Sequence, residues 1–337
     1  MKKIIVIFVV GIVVISAAVW FFYFRLQTNK NIIPTQEVTL SLKWLHQAQF
    51  TGNYVAVEKG FYKEQGLKVN LVPYDFKNTS IDSVVNGKAD FGIAGADELL
   101  LAREKGAPIK AIAVIYKTNP VVAYSLKKSG IIKPQDFIGK TVGIEKGVNV
   151  EYLYNAMMDK LKIDRSKIKE VAVGYDAKEL LDGSVDVSTG YIINEPNIVK
   201  ETGQEINTML VSDYGVNMYA DVIFTTENLI NTNPDLVGRF LAASLEGWQY
   251  SIENGKEAVD LTLKYATNSS LVHQQNMLSE SIPLINDGSS PVGWMELSQW
   301  EQAYNILLEQ KILSKPVNIK DAFTMQFLSN YYLNKNI

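Results

Sequence analysis

The 337-residue chain is 47% hydrophobic and 20% charged, with a net charge of −3, two histidines and no cysteine. Its length suits two domains with a sizeable core. The charge balance gives no electrostatic footprint for nucleic acid, and the lack of cysteine excludes disulfides, thiol nucleophiles, thiolate metal sites and a lipid-modified cysteine.

The chain opens with Lys2 and Lys3, then an uncharged, mostly apolar run from Ile4 to Phe24. At about 1.5 Å of rise per residue, such a run spans a bilayer core as an N-terminal transmembrane helix. Ser16, Ala17 and Ala18 offer a signal-type cleavage site, but "VWFFYF" continues the apolar run beyond them. An uncleaved membrane anchor over residues 1–30 is therefore expected in preference to a cleaved signal, which would leave a secreted or periplasmic protein. Lys2 and Lys3 favour a cytoplasmic N-terminus, against Arg25 and Lys30, so the rest of the chain is expected on the extracytoplasmic face of the cell membrane.

Gln27 to Gln36 is polar, contains Pro34 and reads as a linker. Val38, Leu40, Leu42 and Trp44 then alternate with Thr39, Ser41 and Lys43, a period-2 strand. Tyr54, Val57 and Phe61 follow at helical spacing. "LKVNLVPY" is a second strand, and a short helix over 81–86 is opened by Thr79 or Ser80. "ADFGIAG", "ADELLLAREKG" and "IKAIAVIY" read as strand, helix, strand. This β-α alternation predicts a largely parallel sheet with helices on its faces.

A second α/β unit follows, from "VVAYSL" through "KTVGIEKG", "NVEYLYNAMMDKL", "IKEVAVG", "DAKELLDG", "SVDVSTGY" and "EPNIVKETG" to "EINTMLV". Asn86-Gly87 before Asp90-Phe91, and Asp182-Gly183 before Asp186-Val187, repeat one local pattern and suggest two similar lobes. From Leu229 the pattern is almost wholly helical, with Leu236, Phe240, Leu241, Leu245 and Trp248 on one face. These helices are expected to pack back on the first lobe. The first lobe is then discontinuous (36–119 plus 223–337), with the second (120–222) inserted and a hinge formed by two crossing segments near 117–121 and 215–224.

Catalytic and metal motifs have no support. His46 and His273 stand far apart, with no H-x-x-x-H or H-E-x-x-H spacing, and no G-x-S-x-G or G-x-G-x-x-G occurs. "GKT" at Gly139 to Thr141 lacks the earlier glycine of a phosphate loop, where Pro134 stands instead.

"KWLHQAQFTGNYVAVEKGFYKEQGLKV", "ADFGIAGADELL", "IKAIAVIYKTNP" and "VDVSTGYIINEPNIV" together resemble the thiamine-pyrimidine family. That family comprises solute-binding proteins for thiamine pyrimidine precursors and pyrimidine synthases, and is related to sulfonate-, taurine- and nitrate-binding proteins. The resemblance covers about 38–226 well and the helical tail loosely. It implies an α/β, two-lobed periplasmic-binding-protein-like fold of type II that closes on a small-molecule ligand. It also implies partnership with the permease and ATPase subunits of an ABC transporter, and no cofactor. The synthase branch has a cysteine cluster and an active-site histidine just before the "TG-YVA" segment. Here no cysteine exists and Phe50 stands at that position, which favours binding over catalysis. The alternatives are a pyrimidine-synthase-like enzyme or a ligand-sensing module for a separate signalling partner.

Within this framework Trp44 is expected to stack on the ligand or to sit in the core beside Leu42. His46, Gln47 and Gln49 lie in the turn after the first strand and either meet a heteroaromatic edge or face solvent; Phe50 is a second wall or a packing residue. Gly95 and Asp97, and in the second lobe Gly147, Val148 and Asn149, sit at helix starts whose N–H groups can face the cleft. Asp97 and Asn149 also read as simple N-caps. Glu98 is expected outside the contacts. By the resemblance Glu195 meets an amino group of the ligand; otherwise it is a helix-start acid. Tyr191 and Asn194 are further candidates, as are Asp213, Tyr214 and Tyr219 near the hinge. The four arginines (Arg25, Arg103, Arg165 and Arg239) all lie outside the expected cleft, which favours a neutral or cationic ring over an anion such as a sulfonate.

Overall fold

The structure is a computed structural model that describes residues 35–335. The expected membrane span, Ile4 to Phe24, lies outside the described residues, among which no helix is long and apolar enough to cross a membrane.

The first lobe runs β1 (Gln36–Ser41), α1 (Thr51–Glu58), α2 (Phe61–Glu64), β2 (Leu67–Val72), α3 (Ser80–Val85), β3 (Phe91–Ala94), α4 (Ala96–Glu104) and β4 (Ile109–Val114). Thr79 caps α3 in a full capping box with Asp82. The first strand ends at Ser41 and not at Trp44. Leu42 and Trp44 still exchange backbone bonds with the β2 side (Leu42 N to Val72 O, 2.8 Å; Tyr74 N to Trp44 O, 3.1 Å), so Trp44 leaves the sheet in a turn.

The second lobe runs β5 (Val121–Leu126), β6 (Thr141–Ile144), α5 (Asn149–Lys160), β7 (Lys169–Ala172), α6 (Lys178–Leu181), β8 (Val187–Tyr191), α7 (Glu195–Glu201) and β9 (Ile206–Leu210). The chain then returns through β10 (Val222–Thr226) to the first lobe.

The two five-stranded sheets share one topology. Their orders are β2-β1-β3-β10-β4 and β7-β6-β8-β5-β9. β1 pairs parallel with β3, and β6 with β7 and β8, in line with the largely parallel sheet that the alternation predicted. In each sheet the crossing strand runs antiparallel: β10 against β3 and β4, β5 against β8 and β9. A strand that enters from the other lobe arrives from the opposite end of the sheet, so its direction is reversed. The repeated Asn/Asp-Gly…Asp pattern has a structural meaning. Asp90 accepts the Thr39 N–H within β1, and Asp186 accepts the Thr141 N–H at the start of β6, both at 2.8 Å, so each carboxylate ties its segment to the neighbouring strand.

The two crossing segments are tied together by asparagines. Asn119 N donates to Asn217 Oδ1 (2.9 Å), Asn119 Nδ2 to Met218 O (2.9 Å), and Asn217 Nδ2 to Lys117 O (2.8 Å).

The tail comprises α8 (Glu227–Thr232), α9 (Pro234–Glu253), α10 (Gly255–Thr262), α11 (Leu271–Ile285), α12 (Leu297–Glu309) and α13 (Gln326–Asn334). Leu236, Phe240, Leu241, Leu245 and Trp248 are all buried on α9, each contributing roughly 1.5–3 kcal/mol. α9 lies directly on α1: a Cβ on Gly247 would stand 2.0 Å from Gly52 O, and one on Gly52 would enter the Trp248 ring. The glycine of "TGNYVA" is thus a contact requirement. The tail does not rest on the first lobe alone. Lys200 on α7 pairs with Glu280 on α11 (2.6 Å), and Gln310, just after α12, donates to Tyr152 O on α5 (2.6 Å).

Candidate functional site

β1, β2 and β3 of one sheet and β6, β7 and β8 of the other lead at their C-terminal ends into one cleft of about 410 Å³ between the lobes. Crevices outside the carboxyl ends of parallel strands are where such sheets bind ligands. Its mouth is aromatic. Trp44, from the turn after β1, lies near-parallel to Tyr74 (centroids 6.2 Å) and meets Phe76 at 5.8 Å, both in the loop after β2. From the other lobe Tyr175, in the loop after β7, meets the same indole edge to face at 5.2 Å. Phe76 has φ 61°, the left-handed region that bulky residues rarely occupy. Asp75 holds it there by accepting the N–H groups of Lys77 and Asn78, both at 2.9 Å.

The first-lobe wall carries a polar chain. Gln47 donates to Gln49 Oε1 (2.7 Å), and Gln49 to both oxygens of buried Asp221 (3.1 and 2.8 Å). Lys43 Nζ reaches Ala220 O (3.1 Å) and stands 3.5 Å from both Glu98 and Asp221. Burial opposes the Lys43 charge, but Tyr191, Glu98, Asp221 and Asp97 outweigh it and hold its pKa well above the ordinary value. Asp97 is buried with Oδ1 unpartnered among the described residues. Burial, then the neighbouring Glu98, pushes its carboxyl up to about 7 despite Lys43.

The second-lobe wall carries Glu145, Asn149, Tyr191, Asn194 and Glu195. Asn149 donates to Tyr191 Oη at 2.7 Å. Glu195 opens α7 and bends back over its own loop. Its Oε2 accepts the Tyr191 N–H (2.8 Å) and its Oε1 accepts Asn194 Nδ2 (2.5 Å). Burial raises the Glu195 carboxyl to about 7. Behind it, His273 of α11 faces Asn194 Oδ1 (3.1 Å) and Glu201 (2.8 Å), joining the tail to this wall.

Ten expected residues line the cleft: Trp44, Gln47, Gln49, Asp97, Gly147, Val148, Asn149, Tyr191, Asn194 and Glu195. Six do not. His46 turns away, with Nδ1 3.1 Å from Tyr54 Oη and its ring against Tyr265. Phe50 is wholly buried beneath the turn. Gly95 gives its N–H to Glu98 Oε2 (2.6 Å), so no ligand is needed there. Tyr214 ends a short turn beyond β9 and stays outside the cleft lining, as does Asp213. Tyr219 is buried, accepting the Glu296 N–H at 2.9 Å. The N-cap readings also fail: Gly95, not Asp97, caps α4, and Val148, not Asn149, caps α5, which frees both side chains for the cleft. Glu98, expected outside, lines it.

The residues missed by sequence are chiefly Lys43, Tyr74, Phe76, Glu145, Tyr152 and Tyr175. Tyr74 follows β2 and Tyr175 follows β7, equivalent strands of the two sheets; Lys43 and Glu145 follow the equivalent pair β1 and β6. Carrying the internal repeat through to each strand end is the signal that finds them.

A family described as "NMT1/THI5 like" matches residues 47–258. The riboflavin-binding protein RibY of Chloroflexus aurantiacus is 28% identical over 314 residues, covering 88% of each chain. The formylaminopyrimidine-binding protein of Halalkalibacterium halodurans is 26% identical, covering 86% of this chain and 90% of its own length. The 4-amino-5-hydroxymethyl-2-methylpyrimidine phosphate synthase of Legionella pneumophila is 24% identical, covering 86% and 92%. Among solved structures, the periplasmic aliphatic sulphonate binding protein SsuA of Escherichia coli superposes with a TM-score of 0.67 at 13% identity, covering 85% of this chain and 91% of that one. This likeness establishes the two-lobed α/β binding-protein fold.

Proposed function

The chain belongs to the NMT1/THI5-like family, and from that footing we propose that it is an extracytoplasmic solute-binding protein of an ABC transporter, taking a small flat heteroaromatic ligand between its lobes. The observation that carries this reading is the composition of the cleft. Stacking faces from Trp44, Tyr74, Phe76 and Tyr175 surround a floor with four carboxyl groups, Asp97, Glu98, Glu145 and Glu195, and one cation, Lys43. Aromatic faces suit a planar ring, and carboxyl groups suit ring amino or imide donors. A sulfonate finds little there: Lys43 is already engaged, and the N–H groups of Gly95 and Gly147 at the two helix starts are taken by Glu98 and Glu151.

The relatives' names point to two ring systems, an aminopyrimidine and a flavin, and both carry such donors. Binding without conversion fits better than synthesis, because Phe50, which stands where the synthase branch has its histidine, is buried away from the cleft. In this reading the apolar run from Ile4 to Phe24 holds the protein at the membrane beside its permease and ATPase, and no cofactor takes part.

Native mass spectrometry of the purified full-length protein tests the reading directly, followed by calorimetry with formylaminopyrimidine, riboflavin and an alkanesulfonate. A co-purified or titrated heteroaromatic ligand is expected. Binding of the sulfonate alone would overturn the ligand class.

A further inference from the structure

We propose that Glu145 is the polar anchor of the ligand, reading a ring edge on which a hydrogen-bond donor sits beside an acceptor; this rests on the solute-binding reading above.

Glu145 follows the last residue of β6 and lines the cleft, yet it is only 4% exposed. Its backbone N–H is held by Thr189 Oγ1 at 3.2 Å, which fixes where the side chain starts. Its Oε1 has no hydrogen-bond partner among the described residues. A buried carboxyl oxygen left unmade costs free energy that a bound donor recovers. Glu195 is in a different position. Both its oxygens are already engaged by its own loop, through Tyr191 N and Asn194 Nδ2. It is held as a fixed neighbour, while Glu145 is the acid with an unfilled valence. Asp97 across the cleft also has a free oxygen, but it faces the Lys43 charge. Glu145 has no such counter-charge.

The charged and titratable groups around Glu145 are Glu195 beyond β8, Tyr124 on β5 and Tyr175 in the loop after β7, with Asp97 and Lys43 on the opposite wall. Burial, and then the charge of Glu195, pushes the Glu145 carboxyl up to about 9. At neutral pH it therefore keeps its proton. A neutral carboxyl presents an O–H donor and a C=O acceptor in one plane. That fork matches an exocyclic amino group beside a ring nitrogen, as in an aminopyrimidine, or an imide N–H beside its carbonyl, as in a flavin. The aromatic faces of Trp44 and Tyr74 stand at the same cleft to hold the ring's plane.

The test uses the full-length protein, with 4-amino-5-hydroxymethyl-2-methylpyrimidine and riboflavin as separate titrations that distinguish the two edges. Glu145→Met, similar in length but without the fork, is expected to weaken the bound ring roughly 10- to 100-fold. Glu145→Gln keeps a donor and an acceptor and carries no charge at any pH. At about pH 7 it is expected to bind within roughly fivefold of the parent. Between about pH 8 and pH 10 the parent should lose affinity for the pyrimidine as Glu145 ionises, whereas Glu145→Gln should not. Asp97 and Glu195, both raised to about 7, ionise before that window. A Met variant that binds like the parent, or a Gln variant that follows the parent's pH profile, overturns the proposal. If circular dichroism shows Glu145→Met unfolded, the Gln profile alone decides. A parent that binds neither ring overturns the solute-binding reading, and this proposal falls with it.

Discussion

Trp44 of the first lobe and Tyr175 of the second meet edge to face, with centroids 5.2 Å apart and planes at 64°. The two rings belong to different sheets, so their contact depends on how the lobes stand relative to each other. Trp44 also carries the Tyr74 and Phe76 contacts, whereas Tyr175 remains 47% exposed. Trp44→Ala should remove a stacking face worth about 1–3 kcal/mol, by analogy with base–aromatic stacking. That is roughly a ten- to hundredfold loss of affinity. Tyr175→Ala should cost less in affinity and act mainly by speeding ligand release. Calorimetry gives the first quantity and stopped-flow fluorescence the second. A Trp44→Ala protein that is folded and binds normally would place the ligand elsewhere.

Phe76 allows strain and contact to be separated. A bulky residue in the left-handed region costs roughly 1–2 kcal/mol, and a glycine costs the folded state roughly 0.5–1 kcal/mol in backbone entropy. Phe76 is 62% exposed, so little burial is lost on removing its ring. Phe76→Gly should therefore leave stability within about 1 kcal/mol of the parent while weakening ligand binding several-fold. Chemical denaturation and calorimetry on the same preparation check both halves. A large loss of stability would show that the ring packs more tightly than its exposure suggests.

Stability of the ligand-free protein should depend on pH through Glu145 and Glu195. Burial raises both carboxyls above their usual 4.5, toward about 9 and about 7. A raised carboxyl binds its proton more tightly in the folded chain than in the unfolded one. Its contribution is therefore most favourable below about pH 4.5 and declines as pH rises through 7 toward 9. Melting temperature should fall by several degrees between mildly acidic and mildly alkaline buffer. Glu145→Gln should flatten that slope, particularly its alkaline end. An unchanged slope in the variant would mean that Glu145 is not held neutral.

The full-length protein should stay in the membrane fraction after a high-salt wash, because the Ile4 to Phe24 run is long enough to cross a bilayer core. A protein beginning at residue 31 should be released. Terminal sequencing that finds the mature chain starting near Ala18 in a soluble pool would replace the anchor with a cleaved signal.

Much of this molecule was readable from local pattern. The alternation of Val38 and Leu40, the Thr79 cap, the apolar stripe of α9 and the repeated Asn/Asp-Gly…Asp segments each depend on neighbours a few residues away, and each corresponds to what the structure contains. Trp44, Gln47, Gln49 and Glu195 were accessible because they sit where a strand gives way to a helix, within a motif. The tertiary structure decided what depends on distant partners. The reversed strands β5 and β10 follow from the chain crossing twice between lobes, which no local period encodes. Whether Asp97 and Asn149 cap their helices or face the cleft turns on a shift of two residues for Asp97, and one for Asn149, in where each helix begins. His46 and Phe50 share a turn with Gln47 and Gln49 but point elsewhere, because Tyr54 and Tyr265 draw the imidazole aside and the core takes the phenyl ring. Glu145 carries no motif of its own. Its importance arises only when β6 is placed beside β8 and a second carboxylate comes to stand next to it out of reach of solvent, an electrostatic relationship set by the folded chain.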